Sequence, residues 1–285
     1  MRPGVIGIGA QKCASSWLHA VAGTHPEIGT SEPKEVDFFS YYFDRGYRWY
    51  EGHFAQTPKA KVYFESSPSY FYDPRTPGRL HAYGADLRVL AMLRDPIKRA
   101  FSNHMHEIIQ GHIPPCPFED GLANNPTYVD QGRYGTHLAR WYDAFPADQM
   151  LVLFAEDIAA DAGASARTVF GFFGVDPEFD SPILHERRNE SDRARLPALR
   201  AGLRAGGDWM RRRGLEPALA RIKQAGPVSS LLNANKVEIR DEIPPMRAET
   251  VARLTETFAP EMERLRQILG RDSLPWDARP VAAAQ

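Results

Sequence analysis

One stretch near the start of the chain constrains its fold more than any other. Residues 5–9 form a short apolar run with two glycines, and residues 10–14 follow as a tight turn around Lys12. From Ser15 onward the apolar residues recur with helical spacing, which predicts a strand, a loop and a helix in succession. The unpaired amides at a helix N-terminus favour an anion, and Lys12 adds a full positive charge. The sequence therefore predicts a loop that binds phosphate.

Two common phosphate-binding loops do not match this stretch. A Walker A loop needs Gly-Lys followed by Ser or Thr, but here Gln11 precedes Lys12 and Cys13 follows it. A dinucleotide-binding loop needs a third glycine where Lys12 stands. An ordinary strand-turn-helix with a solvated lysine stays open as the alternative for this segment alone.

The composition limits the class of protein. A chain of 285 residues can bury a sizeable core, and its 35 Lys and Arg residues nearly balance 36 Asp and Glu residues. No global field therefore favours nucleic acid or a membrane as partner. Two cysteines, Cys13 and Cys116, are too few for a disulfide scaffold. Because the first strand begins near Val5, we expect no signal peptide or membrane anchor, and a soluble cytoplasmic protein.

Strand and helix patterns alternate through the first two thirds of the chain. Further strands are predicted near 61–65, 87–93 and 150–154, and helices near 76–83, 134–145 and 162–173 and after Pro96. This alternation predicts a parallel sheet covered by helices on both faces. The aromatic residues crowded into 41–54 predict a packed helix pair, and 111–125, rich in Pro and Gly, predicts a loop.

The composition of the sequence changes after about residue 176. We predict one domain over 1–285, with its core at 4–176 and an arginine-rich helical insertion at about 177–242. A C-terminal helix is predicted at about 245–270, where apolar residues recur with helical spacing.

Five ordered motifs resemble the sulfotransferases that use 3′-phosphoadenosine 5′-phosphosulfate (PAPS). The Lys-x-x-Ser-Ser-Trp-Leu stretch at 12–18 is similar to their phosphosulfate-binding loop. Residues 33–39 are similar to the Lys-Glu-x-x-Phe-Phe segment of the heparan sulfate sulfotransferases, and 65–71 to their Glu-Lys-(Ser/Thr)-Pro-x-Tyr-Phe strand end. Residues 93–102 resemble the 3′-phosphate site, in which an arginine ends a strand and a serine lies eight residues further on. Residues 134–157 and 269–276 resemble the later parts of the family's fold.

The resemblance implies a three-layer α/β/α fold with a central parallel sheet, as in P-loop kinases, and PAPS as the sulfuryl donor. It implies catalytic roles for Lys12 and Glu35, with Glu35 as the base that takes the acceptor's proton, and no metal. The residues that it places at the donor are Gln11, Lys12, Cys13, Ala14, Ser15, Ser16, Trp17, Arg94 and Ser102.

The chain departs from the heparan sulfate enzymes at several positions. Ser66 stands where they have a lysine, and Asp37 stands where they usually have a histidine. Their Lys-Gly-Arg loop is also absent, and Arg188 and Arg195 are candidate substitutes for it. Together with the near-neutral charge, these departures argue against a glycosaminoglycan acceptor. They favour a hydroxyl or amine of a small or medium organic acceptor, which could be a small molecule, a carbohydrate or a natural product.

Some alternatives stay open at this point. Cytosolic animal sulfotransferases have a histidine just after the second strand, which is missing here, so Glu35 is the expected base and His104 or His106 the fallback. Lys34 and Glu35 could instead be a surface ion pair. A nucleotide kinase and a non-catalytic nucleotide-binding module are the competing functions. Residues 41–54 are a candidate wall for the acceptor.

Overall fold

The computed structural model describes residues 1–185, 192–194, 236–238 and 243–277. In chain order the elements are β1 (Val5–Gly9), α1 (Ser15–Thr24), β2 (Ile28–Thr30), α2 (Tyr47–Glu51), β3 (Val62–Ser66), α3 (Thr76–Tyr83), β4 (Arg88–Leu93), α4 (Pro96–Gln110), α5 (Phe118–Asn124), α6 (Thr127–Asp130), α7 (Tyr134–Ala144), β5 (Met150–Phe154), α8 (Ala155–Ala160), α9 (Ala162–Phe173), β6 (Asp192–Ala194), β7 (Lys236–Glu238) and α10 (Ala248–Leu269). Short 3₁₀ helices lie at Phe43–Arg45, Pro68–Tyr70, Ala147–Gln149 and Pro182–His185.

The core of the fold is a five-stranded parallel sheet in the order β2-β3-β1-β4-β5. All five residues of β1 are buried, as are the last five of β4, so the central strands are covered on both faces. Such continuous apolar runs are typical of a parallel sheet between two helical layers. The predicted three-layer α/β/α fold is confirmed.

Because the five strands are parallel, their carboxyl ends all lie along one edge of the sheet. Because β1 lies between β3 and β4, the loops that follow these three strands are neighbours at their carboxyl ends. In open parallel sheets, ligands bind in the crevice at this edge, where the order of connection reverses.

Most of the longer elements occur where the sequence predicts them, but several short ones, among them α6 and α8, were not predicted. The strand β2, only three residues long, was not predicted. The prediction of a loop over 111–125 is wrong at its second half, because α5 forms there. Phe118 is fully buried at the start of α5, and Glu119 and Asp120 in its first turn interact favourably with the helix dipole.

The chain divides into two compact units. The first comprises residues 1–103, 119–187 and 246–285 and contains the parallel sheet. The second comprises 104–118 and 188–245, and in it β6 and β7 pair in antiparallel fashion. The arginine-rich insertion falls mostly outside the described residues, so the organisation as one domain with a helical insertion stays a prediction.

The long helix α10 packs against α7 within the first unit. The Glu261 carboxylate accepts hydrogen bonds from the backbone N–H and the hydroxyl of Thr136, each at 2.8 Å. Gly135 allows this close approach, because a Cβ at its position would lie 2.6 Å from the carbonyl oxygen of Glu261. Among the described helices, none is long and apolar enough to cross a membrane.

Candidate functional site

The predicted phosphate loop connects β1 to α1 and has an unusual backbone. Lys12 and Ala14 adopt left-handed conformations, with φ of 65° and 70°. Ala14 is the N-cap of α1 and makes no side-chain capping bond, so the first amides of the helix are left to an outside anion. The loop is anchored by a 2.7 Å hydrogen bond from the Ala10 N–H to the Met92 carbonyl on β4. This geometry suits a phosphate or sulfate group.

The side chains of the loop differ in what they can offer a ligand. Cys13 is fully buried, with its Sγ 3.7 Å from the Tyr134 hydroxyl, and burial raises its pKa to about 11. Its thiol is therefore a neutral packing group, and only the Cys13 backbone could contact a nucleotide. Ser15 is also buried and Ser16 is exposed, whereas Gln11, Lys12, Ala14 and Trp17 are half-buried.

The end of β4 brings a second cation to the same edge. Arg94 follows the strand directly and is half-buried, and its positive charge lowers the pKa of the Cys13 thiol, which burial raises. Arg94 therefore lies close to the phosphate loop. Ser102 is half-buried on α4, eight residues after Arg94.

Asp95 explains why the chain turns from β4 into α4 at this point. Its Oδ1 accepts the backbone N–H groups of Ile97 at 2.9 Å and Lys98 at 3.2 Å, as an N-cap does. Its own N–H donates to the Glu156 carboxylate at 3.1 Å, which ties the turn to the end of β5. Arg94 is thus held between a strand end and a capped helix.

A second arginine on α4, Arg99, was not singled out from the sequence. It is completely buried, where it donates hydrogen bonds to Gln131 Oε1 at 3.1 Å and to the Tyr128 carbonyl. No carboxylate within the described residues forms an ion pair with it. Its charge acts on the Cys13 thiol, so it adds positive potential behind the phosphate loop.

Glu35 lies after β2, on a segment with an irregular backbone. Glu35 and Asp37 both have positive φ, 66° and 54°. The Glu35 carboxylate forms an ion pair with Lys34, and its side chain is 44% exposed. The surface ion pair left open by the sequence is therefore present, and the structure leaves the carboxylate accessible from outside.

The strand end at 65–67 lies directly beneath this segment. Glu65 is fully buried and accepts a hydrogen bond from Ser67, whose hydroxyl oxygen in turn accepts the Asp37 N–H at 2.8 Å. Ser66 is buried against Gly7 of β1, where a Cβ would lie 2.7 Å from the Ser66 hydroxyl. Ser66 therefore brings no charge to the site in place of the lysine of the heparan sulfate enzymes.

His104 and His106 lie on α4, the helix predicted after Pro96, and a further histidine lies near the candidate site. His19 on α1 was not predicted as a site residue, but burial and the charge of Lys34 lower its pKa, while Glu35 acts in the opposite direction. His104 and His106 lie in the second compact unit, where the His104 Nε2 hydrogen-bonds the Cys116 carbonyl at 2.9 Å. Arg188 and Arg195, the predicted substitutes for the missing loop, lie outside the described residues.

The aromatic segment at 41–54 belongs to the core only in part. The Phe38 ring stacks on that of Tyr50 at 4.7 Å, and Tyr50 and Phe54 are buried. Three tyrosines of the segment are exposed by 39% or more: Tyr41, Tyr42 and Tyr47. These three are the most accessible candidates for part of an acceptor wall, whereas Phe43 and Trp49 are half-buried.

Comparison with known proteins decides the family. The sulfotransferase domain family matches residues 2–195, which is well over half of the chain. This chain belongs to the sulfotransferase domain family. The family predicted from the five motifs is confirmed, and the match favours a sulfotransferase over a nucleotide kinase.

Curated relatives agree with this family. The mouse heparan sulfate glucosamine 3-O-sulfotransferase 3B1 is 29% identical over 61% of this chain and 46% of its own length. The mouse bifunctional heparan sulfate N-deacetylase/N-sulfotransferase 1 is 28% identical over 62% of this chain and 23% of its own. The chain thus spans about half, or less, of the length of these relatives.

The fold has a counterpart among solved structures. The crystal structure of a sulfotransferase from Alicyclobacillus acidocaldarius superposes with a TM-score of 0.71 at 22% identity. The match covers 97% of this chain and 99% of the other, so the two share a fold over almost their full lengths.

Proposed function

We propose that this sulfotransferase moves a sulfuryl group from PAPS to a hydroxyl or amine of a small or medium organic acceptor. The observation that carries the proposal is the placement of the Lys12 loop and of Arg94 on adjacent strands of a sulfotransferase fold. PAPS carries phosphate on both the 5′ and the 3′ side of its ribose. The loop amides with Lys12 suit the 5′-phosphosulfate, and Arg94 with Ser102 suits the 3′-phosphate dianion.

The chemistry follows from the charges at this edge. The bond between sulfur and the bridging oxygen of PAPS breaks while the acceptor oxygen or nitrogen bonds to sulfur, and PAP leaves. Lys12 stabilises the negative charge that develops on the bridging oxygen. Like phosphoryl transfer, this in-line reaction depends mainly on positioning and electrostatics.

Glu35 is the proposed base that accepts the acceptor's proton. Lys34 contacts only one oxygen of its carboxylate, Oε1, which leaves the other oxygen for an acceptor hydroxyl. The exposure of Glu35 supports this role, because the acceptor must approach from solvent. A positioned base typically contributes about 10²–10⁴-fold to the rate.

The acceptor is proposed to be smaller than a sulfated polysaccharide. The names of the two mouse relatives refer to heparan sulfate, but Ser66 and Asp37 stand where the resemblance to the heparan sulfate enzymes leads one to expect a lysine and usually a histidine. The nearly balanced charge of the chain also provides no overall positive field to attract a polyanion. The exposed Tyr41, Tyr42 and Tyr47 are candidate contacts for an apolar part of the acceptor.

A transfer assay tests the proposal. The protein is incubated with PAPS and a panel of alcohols, phenols, amines, sugars and heparan sulfate, and PAP and sulfated product are measured by mass spectrometry. We expect acceptor-dependent formation of PAP. Glu35→Gln should lower the rate about 10²-fold while PAP still binds, because the amide keeps the shape of the carboxyl but accepts no proton.

The matched control is Glu32→Gln, which changes an exposed carboxylate three residues earlier on the same segment. It should leave the rate unchanged. If no acceptor in the panel gives PAP above the background, the proposed function is wrong. If transfer occurs but Glu35→Gln keeps nearly the full rate, another base acts, and His104 and His106 are the next candidates.

A further inference from the structure

Glu65 is a buried carboxyl that no step of the proposed reaction uses. It lies at the end of β3 and is 0% exposed. Its neighbour Phe64 faces the other side of the sheet, where its ring lies 5.1 Å from that of Phe173. Burying a carboxyl is costly unless it is hydrogen-bonded, so its contacts indicate what it does.

The contacts of Glu65 lead to the backbone that follows Glu35. Ser67 donates its hydroxyl proton to Glu65 Oε1, and the same Ser67 oxygen accepts the Asp37 N–H at 2.8 Å. Burial raises the pKa of Glu65, and an interaction of its carboxyl with the Val36 N–H opposes this rise. The two backbone amides immediately after Glu35 are therefore held, directly or through one hydroxyl, by the same carboxyl.

These two amides belong to the strained part of the segment. Glu35 and Asp37 have φ of 66° and 54°, a region that residues other than glycine rarely adopt. Such a conformation persists only where surrounding contacts fix it. Further contacts at Asp37 come from Ser69, which donates to its carboxylate, and from Ser40, which donates to its carbonyl at 3.1 Å.

We propose that Glu65 is a positioning residue for Glu35, holding the left-handed backbone of 35–37 through Ser67 and the Val36 amide so that the Glu35 carboxylate points outward. This inference rests on the proposed function, because it assigns Glu35 the role of base. Glu65 itself is not expected to touch the donor or the acceptor, since it is fully buried.

The charge state of Glu65 gives this role a pH signature. Burial, together with the charge of Asp37, raises the pKa of Glu65 to about 8, so the carboxyl is neutral at pH 7 and ionises above pH 8. The titratable groups that face it are Asp37, Tyr50 and Tyr70. Burial raises the pKa of both tyrosines well above their usual value, so they stay neutral in this range.

Ionisation of Glu65 places another negative charge beside Asp37. The Asp37 pKa is itself raised, first by burial and also by Glu35, which shows that the carboxylates of this segment already repel one another. We therefore expect the segment to shift, and the transfer rate to fall, as the pH rises through about 8.

Three variants of the full chain test this role: Glu65→Gln, Glu65→Ala and the control Glu261→Gln. Glu261 is also a buried, hydrogen-bonded carboxylate of the first unit, but it lies on α10. For each variant kcat is measured against pH, PAP affinity by calorimetry, and amide exchange of the peptide containing 35–37 by mass spectrometry. The exchange measurement needs no acceptor.

Glu65→Ala should lower kcat roughly 10- to 100-fold with little change in PAP affinity, and it should speed amide exchange at 35–37. Glu65→Gln should lose less of kcat than Glu65→Ala and should lack the fall in rate above pH 8 that the wild type shows. Glu261→Gln should keep the wild-type pH profile and the wild-type exchange at 35–37.

The inference is overturned if Glu65→Ala leaves exchange at 35–37 unchanged, or if the alkaline fall persists in Glu65→Gln. If Glu65→Ala does not fold, the inference is tested by the pH profile of Glu65→Gln alone. A wild type that releases no PAP from PAPS contradicts the proposed function instead. In that case the exchange measurement still shows whether Glu65 fixes the backbone of 35–37.

Discussion

At the scale of the residue, Lys12 is the group whose removal should be most informative. It lies in the loop between β1 and α1 with φ of 65°, and we expect the amides of this loop to bind phosphate without it. Lys12→Ala should therefore lower turnover far more than PAP affinity, by about 10²–10³-fold, because only the developing charge on the leaving oxygen depends on it. Single-turnover transfer from PAPS and calorimetry with PAP measure the two quantities.

The matched control for this change is Lys61→Ala. Lys61 pairs with Glu27 at the surface and precedes β3, so it lies at the opposite edge of the same sheet. Its loss should leave both turnover and PAP affinity unchanged. An unchanged turnover in a folded Lys12→Ala protein would show that the loop does not hold the reacting end of the donor.

Local sequence predicts some site residues and misses others for a physical reason. Lys12 and Arg94 follow apolar strand runs, so chain order alone indicates their position at strand ends. Glu65 and Arg99 are charged residues that the fold buries, and burial depends on what packs over them from distant parts of the chain. The residues that contact these two side chains come close only after folding. Tyr50 and Ser67 contact Glu65, and Tyr128 contacts Arg99.

At the scale of the element, we expect a change at the start of α4 to alter both the stability of the protein and its affinity for the nucleotide. Asp95 caps this helix through Ile97 and Lys98, and the same helix carries Ser102. Asp95→Ala should cost about 0.5–2 kcal/mol of stability, as the loss of an N-cap usually does, and should also weaken PAP binding. Denaturant unfolding and calorimetry test the two effects.

Asp161→Ala is the comparison for this prediction. Asp161 is the N-cap of α9 and accepts the Ala164 N–H at 2.8 Å, but its helix carries no predicted donor residue. It should lower stability by a similar amount and leave PAP affinity unchanged. If Asp95→Ala also leaves PAP affinity unchanged, the start of α4 does not position the 3′-phosphate site.

Some helices and strands can be predicted from sequence patterns alone, and others cannot. The run that becomes β4 is apolar on both faces, and the apolar residues of α10 recur with helical spacing, so both were predicted. The strand β2 has only three residues, too few for a pattern, and it depends on pairing with β3. The helix α5 was not predicted because the residues before it are rich in proline and include a glycine. The burial of Phe118 at its start comes from tertiary packing, which the local sequence does not show.

At the scale of the whole molecule, the strand order creates the site. The order β2-β3-β1-β4-β5 brings the segment of Glu35, the end of β3, the Lys12 loop and Arg94 to one edge. The alternation of strands and helices predicts a parallel sheet but not the order of its strands. The resemblance to sulfotransferases supplied the expectation that these groups form one site.

The central claim is that this edge binds a nucleotide with a 3′-phosphate. Both adenosine 3′,5′-bisphosphate and ADP can present a phosphate to the Lys12 loop, but only the bisphosphate can also engage Arg94. A charge-assisted hydrogen bond is worth roughly 1.5–3 kcal/mol, or about one to two decades in affinity. Arg88 on the same strand is the control, because it lies at the other end of β4 and bonds the Phe172 carbonyl.

The most direct measurement is calorimetry of both nucleotides with the wild type, Arg94→Ala and Arg88→Ala. We predict that the wild type and Arg88→Ala bind the bisphosphate at least about tenfold more tightly than ADP, and that Arg94→Ala loses this preference. Equal affinity of the wild type for the two nucleotides would contradict the account and favour a nucleotide kinase.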